Sequence, residues 1–145
     1  MADLSNYAEN KIVDSLFRGI AYAPANYYLA AFTVMPNDAG GGTEVNGGSY
    51  ARVQVPCNTT TWSGTQGSGT TAASSGTGGT ISNNIVITFP SATANWGSLV
   101  GVALYDAASG GNFIAKMIFP SSVTINSGDD PLSFGIGGLT FQIDN

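Results

Sequence analysis

Apolar residues recur every fourth position at the start of the chain, at Leu4, Ala8, Ile12 and Leu16, and Val13 and Phe17 widen the stripe. That is the period of one face of an amphipathic α-helix. Asp3 or Ser5 stands where a cap accepts first-turn N–H groups, Glu9 lies near the positive end, Arg18 near the negative end, and Gly19 where a left-handed residue ends a helix. These signals predict a helix over residues 3–19, with its stripe buried against a sheet.

Beyond it the period drops to two, in short runs divided by turn residues. Tyr27 to Met35 is apolar on both faces, which predicts a central, covered strand, and it stops at Pro36-Asn37-Asp38-Ala39-Gly40. Tyr50 to Val55 alternates, with Ala51, Val53 and Val55 on one face and Arg52 on the other, and Ile85 to Phe89 alternates likewise. Leu99 to Tyr105 and Phe113 to Phe119 flank a turn-rich segment, a hairpin with a longer loop. Val123 to Ile125, Leu132 to Phe134 and Leu139 to Ile143 complete about eight strands. The prediction is a single, mainly β domain over 1–145, an antiparallel β-sandwich or jelly-roll-like domain with one N-terminal α-helix.

Residues 58–84 break this pattern: 21 of the 27 are Gly, Ser, Thr or Ala. Such a segment buries little apolar area against its ordering entropy, so a mobile surface loop is expected, or an arm that orders against a partner. Trp62 stands out within it, because an indole in a polar loop either folds back on its own domain or anchors in a partner. Trp62, Thr65 and Gln66, together with Arg52, are therefore the candidate partner contacts. Arg52 has local pairing with Glu44 or Asp106 as its alternative.

Charge narrows the function further. Four cations, Lys11, Arg18, Arg52 and Lys116, face nine acidic residues, for a net charge of −5. This is too few to neutralise a run of phosphates, so neither nucleic acid nor an anionic membrane is expected as a partner. No stretch approaches the ~20 continuous apolar residues of a spanning helix, and the first residues do not read as a signal peptide, so a soluble, cytoplasmically made chain is expected. From Val53 to Ala115, 63 residues carry one charge, Asp106. Sparse charge removes a device that keeps edges and apolar patches of different copies apart.

Catalytic chemistry has little to work with. There is no histidine, which removes Ser-His and Cys-His nucleophiles and most catalytic zinc sites. Cys57 is the single cysteine and reads as a small buried or half-buried apolar residue. Asp38, Glu44, Asp106, Asp129 and Asp130 all fall in or beside turns, which explains them without a matched catalytic pair. The expectation is a protein that is not an enzyme, with no cofactor and no metal.

Several ordered blocks carry a resemblance. Leu4-Ser5-Asn6-Tyr7-Ala8-Glu9-Asn10-Lys11 opens the series, followed by Gly42-Thr43-Glu44-Val45 and Gly47-Gly48-Ser49-Tyr50-Ala51-Arg52. The most specific stretch is Phe89-Pro90-Ser91-Ala92-Thr93-Ala94-Asn95-Trp96-Gly97, continued by Gly101-Val102-Ala103-Leu104-Tyr105-Asp106-Ala107, with Asn126-Ser127-Gly128-Asp129 and Gly138-Leu139-Thr140 at the end. In these blocks the chain resembles a family of small tailed-bacteriophage virion proteins, labelled tail-fibre-like or head-decoration (capsid cement) proteins. Segment 58–84 is longer than the family pattern, so no partner contact carries over to it. The resemblance implies a virion component made in the host cytoplasm. The short chain, with no shaft or repeat, favours a capsid decoration protein on the head surface, a homotrimer bound to the major capsid protein; a tail-fibre or baseplate-associated host receptor-binding module is the alternative.

Overall fold

The computed structural model describes residues 4–143. One helix, α1 (Asn6–Phe17), precedes nine strands: β1 (Asn26–Val34), β2 (Thr43–Glu44), β3 (Val53–Pro56), β4 (Thr80–Ser82), β5 (Ile87–Thr88), β6 (Gly97–Tyr105), β7 (Phe113–Ile125), β8 (Ser133–Phe134) and β9 (Thr140–Gln142). The expected mainly β, antiparallel sandwich with an N-terminal helix is what forms. The helix is shorter than 3–19, because the Ser5 backbone is extended and its side chain accepts from Ala8 N–H at 3.1 Å. Ser5 is thus the cap, and Asp3, its alternative, lies outside the described residues. Gly19 has the expected left-handed backbone, and the N–H groups of Arg18 and Ile20 both reach back to the Asp14 carbonyl at 3.1 Å.

β1 and β6 lie at the centre of an antiparallel sheet in the order β2-β1-β6-β7, with β3 on β1 beside β2. Alternation explains their uninterrupted apolar runs. Leu29, Ala31, Val102 and Leu104 face the main core, while Ala30, Phe32, Ala103 and Tyr105 face a second, smaller cluster. Two ribbons, β4–β9 and β5–β8, form the opposing layer and bring Phe134, Leu139 and Phe141 into the main core with Phe89 and Trp96.

Residues expected as two strands, Phe113 to Phe119 and Val123 to Ile125, form the single long edge strand β7. Its register on β6 jumps from Gly101 opposite Ile118 to Leu99 opposite Val123, a bulge that projects residues 119–122. Gly101 sits at the jump, where a Cβ would run into the Met117 carbonyl and the Met35 sulfur. β2 and β4 were not expected from the sequence. Both are two or three residues long, too short to set up a period.

Segment 58–84 is packed on the domain at its two ends, while residues 66–77 form the expected, largely exposed surface loop. Thr61, Trp62, Ser63, Ser82 and Asn83 are buried, and Trp62 bridges to Asn83. Backbone and side-chain hydrogen bonds supply the order that apolar area does not. Asn58 Oδ1 accepts from Thr60 and Thr61 N–H, the Ser63 and Ser82 hydroxyls meet at 3.0 Å, and Asn83 is a wholly buried hub.

Candidate functional site

The first turn of α1 is tied to the edge of the sheet. Leu4 bridges to Ala115, Ser5 N–H donates to the Ile114 carbonyl at 2.8 Å, the Ser5 hydroxyl donates to the Phe113 carbonyl, and Asn6 N–H donates to the Asp38 carbonyl at 3.0 Å. From this anchor the helix runs outward, because β7 is the last strand and no further strand lies beneath the later turns. Ala8 is therefore the only buried helical residue, while Leu16 is 70% and Phe17 82% exposed. This corrects the expectation that the whole apolar stripe buries against a sheet. Half of the stripe is left uncovered by the described residues.

Between α1 and the sheet lies an apolar groove of about 480 Å³. Leu4, Ala8 and Ile12 form its helical wall, Leu104, Ile114 and Ala115 its floor, and Trp62, Ile81, Phe141 and Ile143 the opposite wall. None of its lining residues among those described is charged. Tyr22, Tyr27 and Cys57 close one end, and Tyr22 Oη is buried without a hydrogen-bond partner, the one such side-chain atom among the described residues. Burial pushes the Tyr22 and Tyr27 hydroxyls and the Cys57 thiol up from their ordinary values, so all three stay neutral at pH 7. A raised thiol pKa makes Cys57 a poor nucleophile. The groove can bury an uncharged apolar group and offer one hydroxyl for hydrogen bonding; it holds no acid–base pair.

The residues singled out from the sequence fall in separate places. Trp62 folds back on its own domain, packs edge-on against Phe141 at 6.1 Å and forms part of the groove wall. Thr65 and Gln66 lie on the outer arm of the same segment and are tied within it: the Thr65 hydroxyl donates to the Ser75 carbonyl at 2.7 Å and Gln66 Nε2 to the Ala73 carbonyl at 2.5 Å. Arg52 is engaged elsewhere. Its Nε and Nη2 donate to the two Glu44 carboxylate oxygens at 2.8 and 2.7 Å, and its Nη1 donates to the carbonyls of Ala107 and Gly110. Its guanidinium carbon stands 3.9 Å from the centre of the Tyr105 ring. Of the two acidic partners expected for Arg52, the structure selects Glu44, while Asp106 accepts from Asn112 and holds its loop.

The exposed end of α1 and the Tyr22–Cys57 end of the groove were not singled out from the sequence. The four-residue spacing contains the signal for the first, since Leu16 and Phe17 extend the stripe, but where the sheet stops beneath them is a tertiary fact.

A second, polar cleft of about 330 Å³ lies at the other side of the helix start, lined by Asn6, Tyr7, Asp38 and Asn112 among others. No helix among the described residues is long and apolar enough to cross a membrane.

No curated protein matches the chain. A protein-family model does, over residues 3–142, from the capped helix through the last ribbon. That span takes in every element of the fold just described, and the chain accordingly belongs to the family of the podophage GP4 fiber I protein gp80, a bacteriophage virion structural protein family.

Proposed function

We propose that this chain is a subunit of the phage tail fibre, working where the virion meets its host, and that it is built for protein association rather than catalysis. The observation that carries this reading is the match of nearly the whole chain to a fibre protein family. The structure is compatible in kind. Its apolar groove and its exposed apolar side chains are interaction features, and Arg52, the most deeply engaged cation, is held by a bidentate carboxylate rather than presented.

Quantitative mass spectrometry of purified virions tests the placement, read against the major capsid protein. A fibre subunit is present at a small fraction of the shell protein, and antibody against it labels tails in electron micrographs. Charge-poor surface over Val53 to Ala115 favours a second reading, a capsid decoration protein that self-associates as a trimer on the head. That reading requires copy numbers near those of the shell protein and label on heads, and such a result would overturn the fibre placement.

A further inference from the structure

The apolar stripe of α1 is continuous from the groove to the helix end. Ile12 lines the groove, and Val13, Leu16, Phe17 and then Ile20 stand in solvent at 49, 70, 82 and 47% exposure. Lone exposed apolar residues are common, but four clustered on one and a half turns of a helix and its cap form a patch of the kind that marks a contact. We infer that the occupant of the groove is a second copy of this chain, which inserts the Leu16–Phe17 end of its α1 between the α1 and β7 of its neighbour.

Three observations favour this occupant. Among the described residues the groove has no charged lining residue, and the charged pair on the helix end is internally neutralised, with Arg18 Nη1 2.7 Å from Asp14 Oδ1; the charge nearest the groove end is Lys11, whose Nζ stands 5.9 Å from the centre of the Tyr22 ring. The hydrogen-bonding needs match as well. Tyr22 Oη at the groove end is buried without a partner, while the carbonyls of Ser15, Leu16 and Phe17 accept no hydrogen bond beyond the helix among the described residues, as expected for a last turn. The hydroxyl donates what the incoming helix end lacks. Copies also repel weakly over the stretch from Val53 to Ala115, where one residue in 63 is charged.

Because the groove and the helix end are different surfaces, the contact is heterologous and each copy both gives and receives. The inference rests on reading the chain as a virion subunit present in more than one copy.

Cys57 at the groove end makes the test direct, since it is the only cysteine. In purified full-length Phe17→Cys protein, mild oxidation at alkaline pH is expected to give intermolecular disulfides that disappear in Phe17→Cys with Cys57→Ser. Wild-type protein is expected to sediment as an oligomer. Leu16→Ser with Phe17→Ser is expected to weaken association by ~30-fold or more, as loss of an aromatic hot spot does, with an unchanged circular dichroism spectrum and melting temperature in the monomer. A monomeric wild type at high micromolar concentration overturns the inference. So does a cross-link that survives Cys57→Ser, which would join helix end to helix end. A monomer whose groove takes up an acyl-chain probe would assign it another occupant and overturn the inference too. These assays use purified protein, so their failure removes the docking alone, and the abundance of the chain in virions decides the fibre placement separately.

Discussion

Asn83 is the residue on which the order of segment 58–84 turns, and replacing it measures how much that order contributes. Its side chain is wholly buried. Nδ2 donates to the carbonyls of Ile85 and Gly135 at 2.8 Å each, and Oδ1 accepts from Leu139 N–H at 2.8 Å. Its backbone adds two bonds to the same turn, donating to the Leu139 carbonyl and accepting from Gly137 N–H. Asn83→Ala leaves the buried Leu139 N–H and the Ile85 carbonyl without their partner, at about 1–3 kcal/mol per orphaned group, while the Gly135 carbonyl keeps its bond from Gly138 N–H. Allowing for relaxation and an entering water, the loss is ~2–4 kcal/mol, a large share of the ~5–15 kcal/mol that holds a domain together. A domain of this size loses ~3 °C in melting temperature per kcal/mol, so a fall of ~6–12 °C is expected by calorimetry under conditions where the protein is monomeric.

Asn83→Asp sharpens the test. The introduced carboxyl keeps an acceptor for Leu139 N–H but sets an oxygen against the two carbonyls, and burial also opposes its ionisation, so its folded pKa lies above the unfolded ~3.9. Between those values the folded state binds more protons than the unfolded one, and stability relative to wild type falls as pH rises from about 4. The deficit is expected to be larger at pH 7 than at pH 4. A melting shift under ~3 °C for Asn83→Ala, or a deficit for Asn83→Asp that does not grow with pH, would refute the account of Asn83 as a hub.

Arg52→Ala is expected to destabilise by ~3–5 kcal/mol in chemical denaturation, because it strands a partly buried Glu44, and Arg52→Lys is expected to recover only part of this since one ammonium cannot satisfy both carboxylate oxygens and the Tyr105 face. Gly42→Ala is expected to lower the melting temperature more than an ordinary surface substitution: Gly42 has φ +80°, and a Cβ there meets the Val34 carbonyl at 2.6 Å and Pro36 N at 2.7 Å. Burial raises the Tyr27 and Tyr50 hydroxyls well above the usual tyrosine range, so above pH 10 the unfolded chain loses these protons while the folded chain keeps them. Stability is therefore expected to decline as pH rises past 10, and a denaturation series from pH 8 to 11 checks it.

The elements whose burial is set by their own residues were legible in the chain. Tyr27 to Met35 and Leu99 to Tyr105 are apolar on both faces, and a strand of that kind can lie only at the centre of a covered sheet, where β1 and β6 are. The start and stop of α1 were legible to within a few residues because capping depends on Ser5 and Gly19 themselves. The pairing of Arg52 was legible only as a choice, since residues eight and 54 positions away compete equally until the chain folds.

The local sequence left other features undecided. A segment of Gly, Ser and Thr has no apolar period, and its order comes from partners far along the chain, Asn83 with residues 134–139 and Trp62 with Phe141. Periodicity specified an apolar stripe from Leu4 to Phe17 but not where its support ends. That is decided by β7 being the last strand of the sheet, which leaves Leu16 and Phe17 exposed beyond the cover of the other described residues. The composition of a helix face is a property of the sequence, whereas whether that face is covered depends on which other elements the fold sets against it, and only the tertiary structure decides that.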